Sequence, residues 1–347
     1  MRKRYGLLLA VSAVLLTGCA ASQELQDKLA KGMTAIENAS YEEALTAFGE
    51  VISEGELLVE AYRGEGIAYM ATGELDKAVA AFDQALANTD DKMNNTRRDI
   101  LYYKATALFR QQDYTGTISV CEEILKLGND GNAHYMKGAS YLAIDNKESA
   151  AAEFKAAAGM CGDDYDMLLN IYECYNQKNL SAEGDVYLKQ ALNIEGSGGD
   201  TAYQKARIYY YLEDYDKAKA MLSPTAEAGD ADALLLMGKI YLALEDTAHS
   251  RVAYQKYIEL YGETPESLNG ICLCDLAEGS YDSALSNIEK GLALEGEAGK
   301  QELAFNAIVA WERKGNFDAA REKALQYVEQ YPADEKGQKE YAFLQSR

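Results

Sequence analysis

The side chains most often recruited for chemistry are few and scattered in this chain of 347 residues. Its two histidines, His134 and His249, have no cysteine or acidic residue at a metal-ligand spacing from them. Each therefore reads as a surface or packing residue. Beyond Cys19, five cysteines remain, Cys121, Cys161, Cys174, Cys272 and Cys274. They are odd in number and lack a C-x-x-C pair, which points to small core residues and leaves one helical pair open as a disulfide. A hydrolase or transferase needs a nucleophile with its base, paired carboxylates in a pocket, or a metal cluster. None of the motifs G-x-x-x-x-G-K-[ST], G-x-S-x-G or H-E-x-x-H occurs. The sequence predicts no enzyme, with no catalytic residue, metal or cofactor.

Cys19 is the exception, because its setting is informative. Arg2, Lys3 and Arg4 precede an apolar run from Tyr5 to Leu16, followed by Leu16, Thr17, Gly18 and Cys19. This is the order of a secretory signal, and the run is too short for a comfortable membrane-spanning helix. The last four residues resemble a bacterial lipobox, in which the chain is cut before a cysteine that carries diacylglycerol on its sulfur. That resemblance implies a cleaved signal over 1–18, a lipidated tether over 19–23 with Cys19 as the lipidation site, and a body outside the cytoplasm. The lipid would lie in the outer face of the plasma membrane or in an outer membrane. An ordinary secretory signal with a chance cysteine and a short anchor helix are the alternatives.

Composition narrows the partners. The formal net charge is −22, with no basic stripe to interrupt it, so nucleic acid and anionic lipid headgroups are poor partners. Membrane attachment then rests on the lipid alone. With 48% hydrophobic residues and only 3 prolines the chain is expected to fold, and to fold as helices.

Periodicity supplies the architecture. Taking Leu75 in "GELDKAVAAFDQAL" as an anchor, equivalent positions are Tyr41, Leu75, Tyr114, Lys147, Ser181, Tyr215, Thr247, Tyr281 and Phe317, spaced by 32 to 39 residues. Three residues on stand only small residues: Ala44, Ala78, Thr117, Ala150, Gly184, Ala218, Ser250, Ala284 and Ala320. Four further on come mostly bulky ones: Phe48, Phe82, Cys121, Phe154, Leu188, Leu222, Tyr254, Ile288 and Ala324. This rhythm makes one apolar helix face per repeat. Upstream, Gly32, Gly66, Ala105, Gly138, Ala206, Gly238 and Cys272 mark a second helix, with Tyr172 and Ile308 as exceptions, and large residues such as Tyr69, Tyr141 and Trp311 follow three places later.

The pattern G-x-x-Y, polar turn, A-x-x-x-F resembles the tetratricopeptide repeat over roughly residues 24 to 332. The resemblance implies an all-α fold, an α-solenoid of about nine helical hairpins with a short C-terminal capping helix, and a single superhelix over 24–347. It also implies that the first helix of each hairpin lines an inner groove that grips protein or peptide partners. Counted from the anchors, the candidate groove residues are Tyr102, Thr106, Phe109, Tyr135, Leu142, Tyr203, Arg207, Tyr210 and Lys239. The Lys-and-Asn clamp by which some relatives hold C-terminal carboxylates is absent, with Leu29, Met33, Arg63 and Ile67 at comparable positions.

Several departures mark the register. Asp275 stands where a large apolar residue is expected, and Pro224 falls inside a second helix and is expected to kink or shorten it. The stretch 88–99, "NTDDKMNNTRRD", accounts for the one spacing of 39 and reads as an extended loop; "GSGG" at 196–199 reads as a turn. Glu60, Asp99, Asp166, Asp200, Asp232, Glu266 and Glu302 each precede an anchor by fifteen residues, a row interrupted by Gln26 and Asn132. It reads either as helix-entry acids that cap free N–H groups or favour the dipole, or as an acidic rim for a basic partner. Two functions follow: a lipid-anchored scaffold that binds proteins of the envelope or secreted proteins, or a passive spacer. The inner-wall aromatics favour the first.

Overall fold

The computed structural model describes residues 23–195, 199–332 and 334–346, so the signal segment and Cys19 lie outside the described residues. The described chain is helical throughout and contains no strand. It divides into two compact units at residues 194/195. The first unit holds five helical hairpins: α1 (Gln23–Glu37) with α2 (Tyr41–Glu54), α3 (Leu58–Thr72) with α4 (Leu75–Ala87), α5 (Asn94–Arg110) with α6 (Tyr114–Leu127), α7 (Gly131–Ala143) with α8 (Lys147–Met160), and α9 (Tyr165–Gln177) with α10 (Ser181–Leu192). The second holds four: α11 (Gly199–Tyr211) with α12 (Tyr215–Glu227), α13 (Ala231–Ala243) with α14 (Thr247–Tyr261), α15 (Pro265–Ala277) with α16 (Tyr281–Ala293), and α17 (Lys300–Arg313) with α18 (Phe317–Gln330). It is closed by α19 (Glu335–Gln345), the expected terminal helix.

All nine anchors are the first residues of second helices, and the turn before each is built in one way. The residue two places earlier is left-handed every time: Ala39, Gly73, Gln112, Asp145, Asn179, Glu213, Glu245, Gly279 and Gly315. Only three are glycine, so the other six carry the steric cost of that conformation for an L-residue. The next residue caps the second helix. Side chains of Asp113, Asn146, Asp214, Asp246 and Asn316 accept backbone N–H bonds from the first turn.

Packing within the hairpins follows a rule of complementary size. The Phe48, Phe82, Phe154 and Tyr254 rings lie directly over Gly32, Gly66, Gly138 and Gly238, where an added Cβ would stand 2.4 to 2.7 Å from ring atoms. Phe48 and Tyr254 also press on Gly64 and Gly270 of the following first helix, so each ring wedges two hairpins together. Where the small position is large, its partner shrinks. Ile308 faces the second helix that carries Ala324, and both are fully buried. Tyr172 meets Gly184, the only glycine in the row of small residues, at 2.9 Å from the place of a Cβ. The two sequence exceptions are thus compensated from the opposite helix.

Polar stitches join successive hairpins. Basic residues at the ends of first helices donate to the carboxyl end of the preceding first helix: Arg110 to Met70 O, Lys178 to Ala143 O and Arg313 to Leu276 O. They satisfy carbonyls that the helix itself leaves open. Asp275, the misplaced acid, is buried at 3% exposure and fully bonded: its carboxylate takes Arg251 at 2.8 Å on one oxygen, and Ser283 and Asn287, each at 2.8 Å, on the other. It ties α14, α15 and α16 at one point.

Two sequence expectations need correction. The stretch 88–99 is a loop only to residue 93, because α5 begins at Asn94. Its polar residues are helical because neighbours engage them: Arg97 bonds Thr89, Arg98 the Leu127 carbonyl, and Asp99 pairs with Arg63. Pro224 does not shorten α12, which runs three residues beyond it and, at 13 residues, equals α4 and α16. Ala228 N–H bonds the Pro224 carbonyl, so the helical pattern resumes after the proline.

Candidate interaction surface

First helices of neighbouring hairpins touch one another directly, α1 with α3, α3 with α5 and α7 with α9 in the first unit, and α11, α13, α15 and α17 in sequence in the second. Among the described residues, second helices make no comparable contacts with one another. Within each unit the first-helix side is therefore the shorter, inner side of the stack. The candidate residues all belong to first helices, α5 and α7 in one unit and α11 and α13 in the other.

In the first unit, Tyr102, Thr106 and Phe109 lie one helical turn apart along α5 and are all half-buried. Tyr102 donates its hydroxyl to Asp130, the N-cap of α7, while the Thr106 hydroxyl bonds back to the Tyr102 carbonyl at 2.8 Å. Phe109 meets the Tyr114 ring edge-on at 5.3 Å. Across on α7, Tyr135 is half-buried against Phe154 at 6.2 Å, and its hydroxyl lies 3.6 Å from Cys174 Sγ. Leu142 does not join them. At 2% exposure it is a core residue, as are Met70 and Leu276 at the same distance from their anchors. The same register is half-buried at Phe109 and Tyr210, so whether the next hairpin covers it varies along the stack.

In the second unit, Arg207, Tyr210 and Lys239 come together with Tyr211 and Leu236 around a cavity of about 30 Å³ between α11 and α13. This is the volume of roughly one water molecule. Arg207 is 7% exposed, its Nη1 donating to Gln204 at 2.7 Å and its guanidinium 5.9 Å from the Tyr203 ring centre. It is thus a buried strut of the cavity wall and not a surface cation. Lys239 is paired with Glu266 at 2.7 Å. Tyr211 and Leu236 were missed from the sequence, since the Tyr209–Tyr211 run gives no sign of which ring faces inward.

The acidic row is not the set of capping residues. Caps are made two positions earlier, by Asp130, Asp164, Asp230 and Thr264, leaving Asp166, Asp232 and Glu266 in the first turn of their helices. Asp99 and Glu266 pair instead with Arg63 and Lys239 of the preceding first helix. The side chain of Asp200 lies outside the description.

The remaining reactive side chains are held in packing roles. His134 is bonded on both ring nitrogens, to Glu153 at 2.6 Å and Asn129 at 2.9 Å, and His249 bonds Asp246 at 2.7 Å while stacking on Tyr241. All five described cysteines are free. Burial pushes the thiols of Cys121 and Cys272 up to about 12 and that of Cys174 up to about 11, far from the thiolate state a nucleophile needs. A surface concavity at the α17–α18 turn is open, and its cations Lys314 and Arg321 already pair with Asp282 and Asp318.

Comparison with known proteins agrees with this geometry. The tetratricopeptide repeat profile matches residues 29–92, 203–265 and 275–335, more than half of the chain. Among solved structures, a tetratricopeptide repeat protein from Parabacteroides merdae is similar at 13% identity and a TM-score of 0.50, over 71% of this chain and 97% of that one. MamA is similar at 19% identity and a TM-score of 0.41, over 51% of this chain and 96% of that one. MamA from Desulfovibrio magneticus gives 18%, a TM-score of 0.42, and 50% and 96%. These likenesses concern the fold alone. No curated protein matches the chain.

Proposed function

Because the chain belongs to the tetratricopeptide repeat family, we propose that it is a lipid-anchored, extracytoplasmic scaffold that binds protein or peptide partners on its first-helix wall and so organises envelope or secreted proteins. The observation that carries this reading is the meeting of Arg207, Tyr210, Tyr211, Leu236 and Lys239 around one cavity on the inner side of a unit. Rings with a polar tip suit contact with a peptide laid across them, since the space between them holds only about one water molecule. The passive-spacer reading draws on a different fact. Leu142 and Arg207 are buried and Lys239 is ion-paired, so part of the predicted wall serves the stack itself.

The anchor rests on the Leu16–Cys19 tetrad. Among the described residues no helix is long and apolar enough to cross a membrane. Acyl chains on Cys19, at ~0.8 kcal/mol per buried methylene, hold a body still more acidic than the whole chain's −22, since cleavage removes Arg2, Lys3 and Arg4, to a bilayer despite repulsion from anionic headgroups. Cys19→Ser is expected to leave the helical body folded while abolishing fatty-acid incorporation and cleavage at this site. Metabolic labelling checks it, and lipid incorporation that survives the substitution refutes the assignment. The binding role is tested by finding which side of the stack a partner touches in intact membranes.

A further inference from the structure

One polar pair on the inner side of the second unit is only half used. Asn269 of α15 and Asn306 of α17 meet across adjacent first helices, Asn306 Nδ2 donating to Asn269 Oδ1 at 2.8 Å. Both residues are half-buried, and Asn269 stands twelve residues before its anchor, the register of Tyr102, Tyr135 and Tyr203. A side-chain amide carries both a donor group and an acceptor, so one bond between two of them leaves one of each over. Among the described residues neither side chain has another partner, so Asn269 Nδ2 is a free donor and Asn306 Oδ1 a free acceptor, and both atoms reach solvent. Exchanging O and N on both side chains reverses the roles but leaves the same donor and acceptor side by side.

That combination matches a peptide backbone. In an extended strand the N–H and C=O of one residue point to the same edge, and two facing strands exchange both bonds between a pair of residues. The asparagine pair offers the same two groups from side chains. Resting on the reading of the first-helix wall as the binding face, we propose that Asn269 and Asn306 hold the backbone of an extended partner segment, Asn269 Nδ2 donating to the carbonyl of one residue and Asn306 Oδ1 accepting its N–H. The partner at this point is a strand-like segment, held without regard to its side chains. The pair is uncharged and selects for hydrogen bonding, not for charge. The nearest acid on its own face of α15, Glu266, is already closed on Lys239. Leu273 and Val309, half-buried one turn further along α15 and α17, give the segment an apolar surface to lie against.

The test uses the full-length chain and two short, neutral, end-capped peptides of unrelated composition, one alternating serine and valine, the other alternating glutamine and alanine. Titration followed by NMR is expected to shift the side-chain amide resonances of Asn269 and Asn306 with both peptides. Asn269→Leu combined with Asn306→Leu removes both hydrogen-bonding groups and keeps the net charge. It should weaken both peptides by a similar factor, about five- to a hundred-fold, the equivalent of two net hydrogen bonds. A pair that merely fastens α15 to α17 would alter the denaturation midpoint and leave both amide resonances unmoved by peptide. Should the double variant prove unstable, the wild-type amide shifts decide alone, and their absence at millimolar peptide overturns the proposal. Equal affinity in wild type and double variant, or a loss with one peptide and not the other, would also overturn the backbone grip. In each of these cases a partner crosslinked from elsewhere on the first-helix wall would still uphold that wall as the binding face.

Discussion

Phe48→Ala is expected to cost about 3 to 5 kcal/mol, the range for emptying an aromatic site in a well-packed core. The ring is fully buried and lies over two glycines, Gly32 of α1 and Gly64 of α3, with no side chain on either to move into the space. Both faces of the cavity are helix backbone, and closing it would require α1 and α3 to shift together. Because each hairpin buries its apolar face only against its neighbours, the loss should stay local. Hydrogen exchange is expected to quicken through α1, α2 and α3, while α7 to α10 keep their protection. A uniform loss across residues 23–194 would show that the unit unfolds as one body and would contradict the repeat-by-repeat account.

The second large effect is expected at Asp275. Asp275→Ala removes the acceptor shared by Arg251, Ser283 and Asn287, and should cost about 3 kcal/mol, the lower end for breaking a buried pair, since Arg251 remains a quarter exposed and partly solvated. Arg251→Ala should be the more damaging single change, as it leaves a carboxylate of 3% exposure without its cation. Replacing both by apolar residues, Asp275→Leu with Arg251→Met, should recover most of the loss, because well-packed apolar groups often match a buried ion pair in stability. Chemical denaturation of the three variants tests the order. An Asp275→Ala protein as stable as wild type would mean that the carboxylate is not the joint between α14, α15 and α16.

These two sites differ in how openly the sequence announces them. The Phe48 wedge is legible because glycine and ring recur at a fixed separation, and the same rhythm places the start of every second helix. Asp275 is visible only as a residue out of place, since its partners Arg251, Ser283 and Asn287 come from two other helices. The compensation of Tyr172 by Gly184 lies in the rows of small residues, but only contact shows that the one explains the other. The wall was harder to read. Register assigns a residue to the first helix but does not tell an open position from one covered by the next hairpin. That is why Leu142 proved to be core and Arg207 a buried strut, while Tyr102, Phe109, Tyr135 and Tyr210 stay half-buried. The acidic row is legible as helix-entry charge, since Glu60, Asp166, Asp232, Glu266 and Glu302 lie in first turns where they favour the dipole, but not as caps: these stand two residues earlier at Asp164, Asp230 and Thr264, and Asp99 and Glu266 bind the cations of the hairpin before.

The central claim is that partners are held on the first-helix wall. It is tested most directly by placing a photo-crosslinking side chain, one site at a time, on each side of each unit in the full-length protein in cells. Tyr102 and Tyr211 represent the wall, and Val186 and Val252, 58% and 61% exposed on second helices, represent the opposite side. Crosslinks to a protein from Tyr102 or Tyr211, with none from Val186 or Val252, are the predicted result. A partner captured from Val186 or Val252 and not from the wall would contradict it, and a wall that captures nothing would leave the chain a spacer.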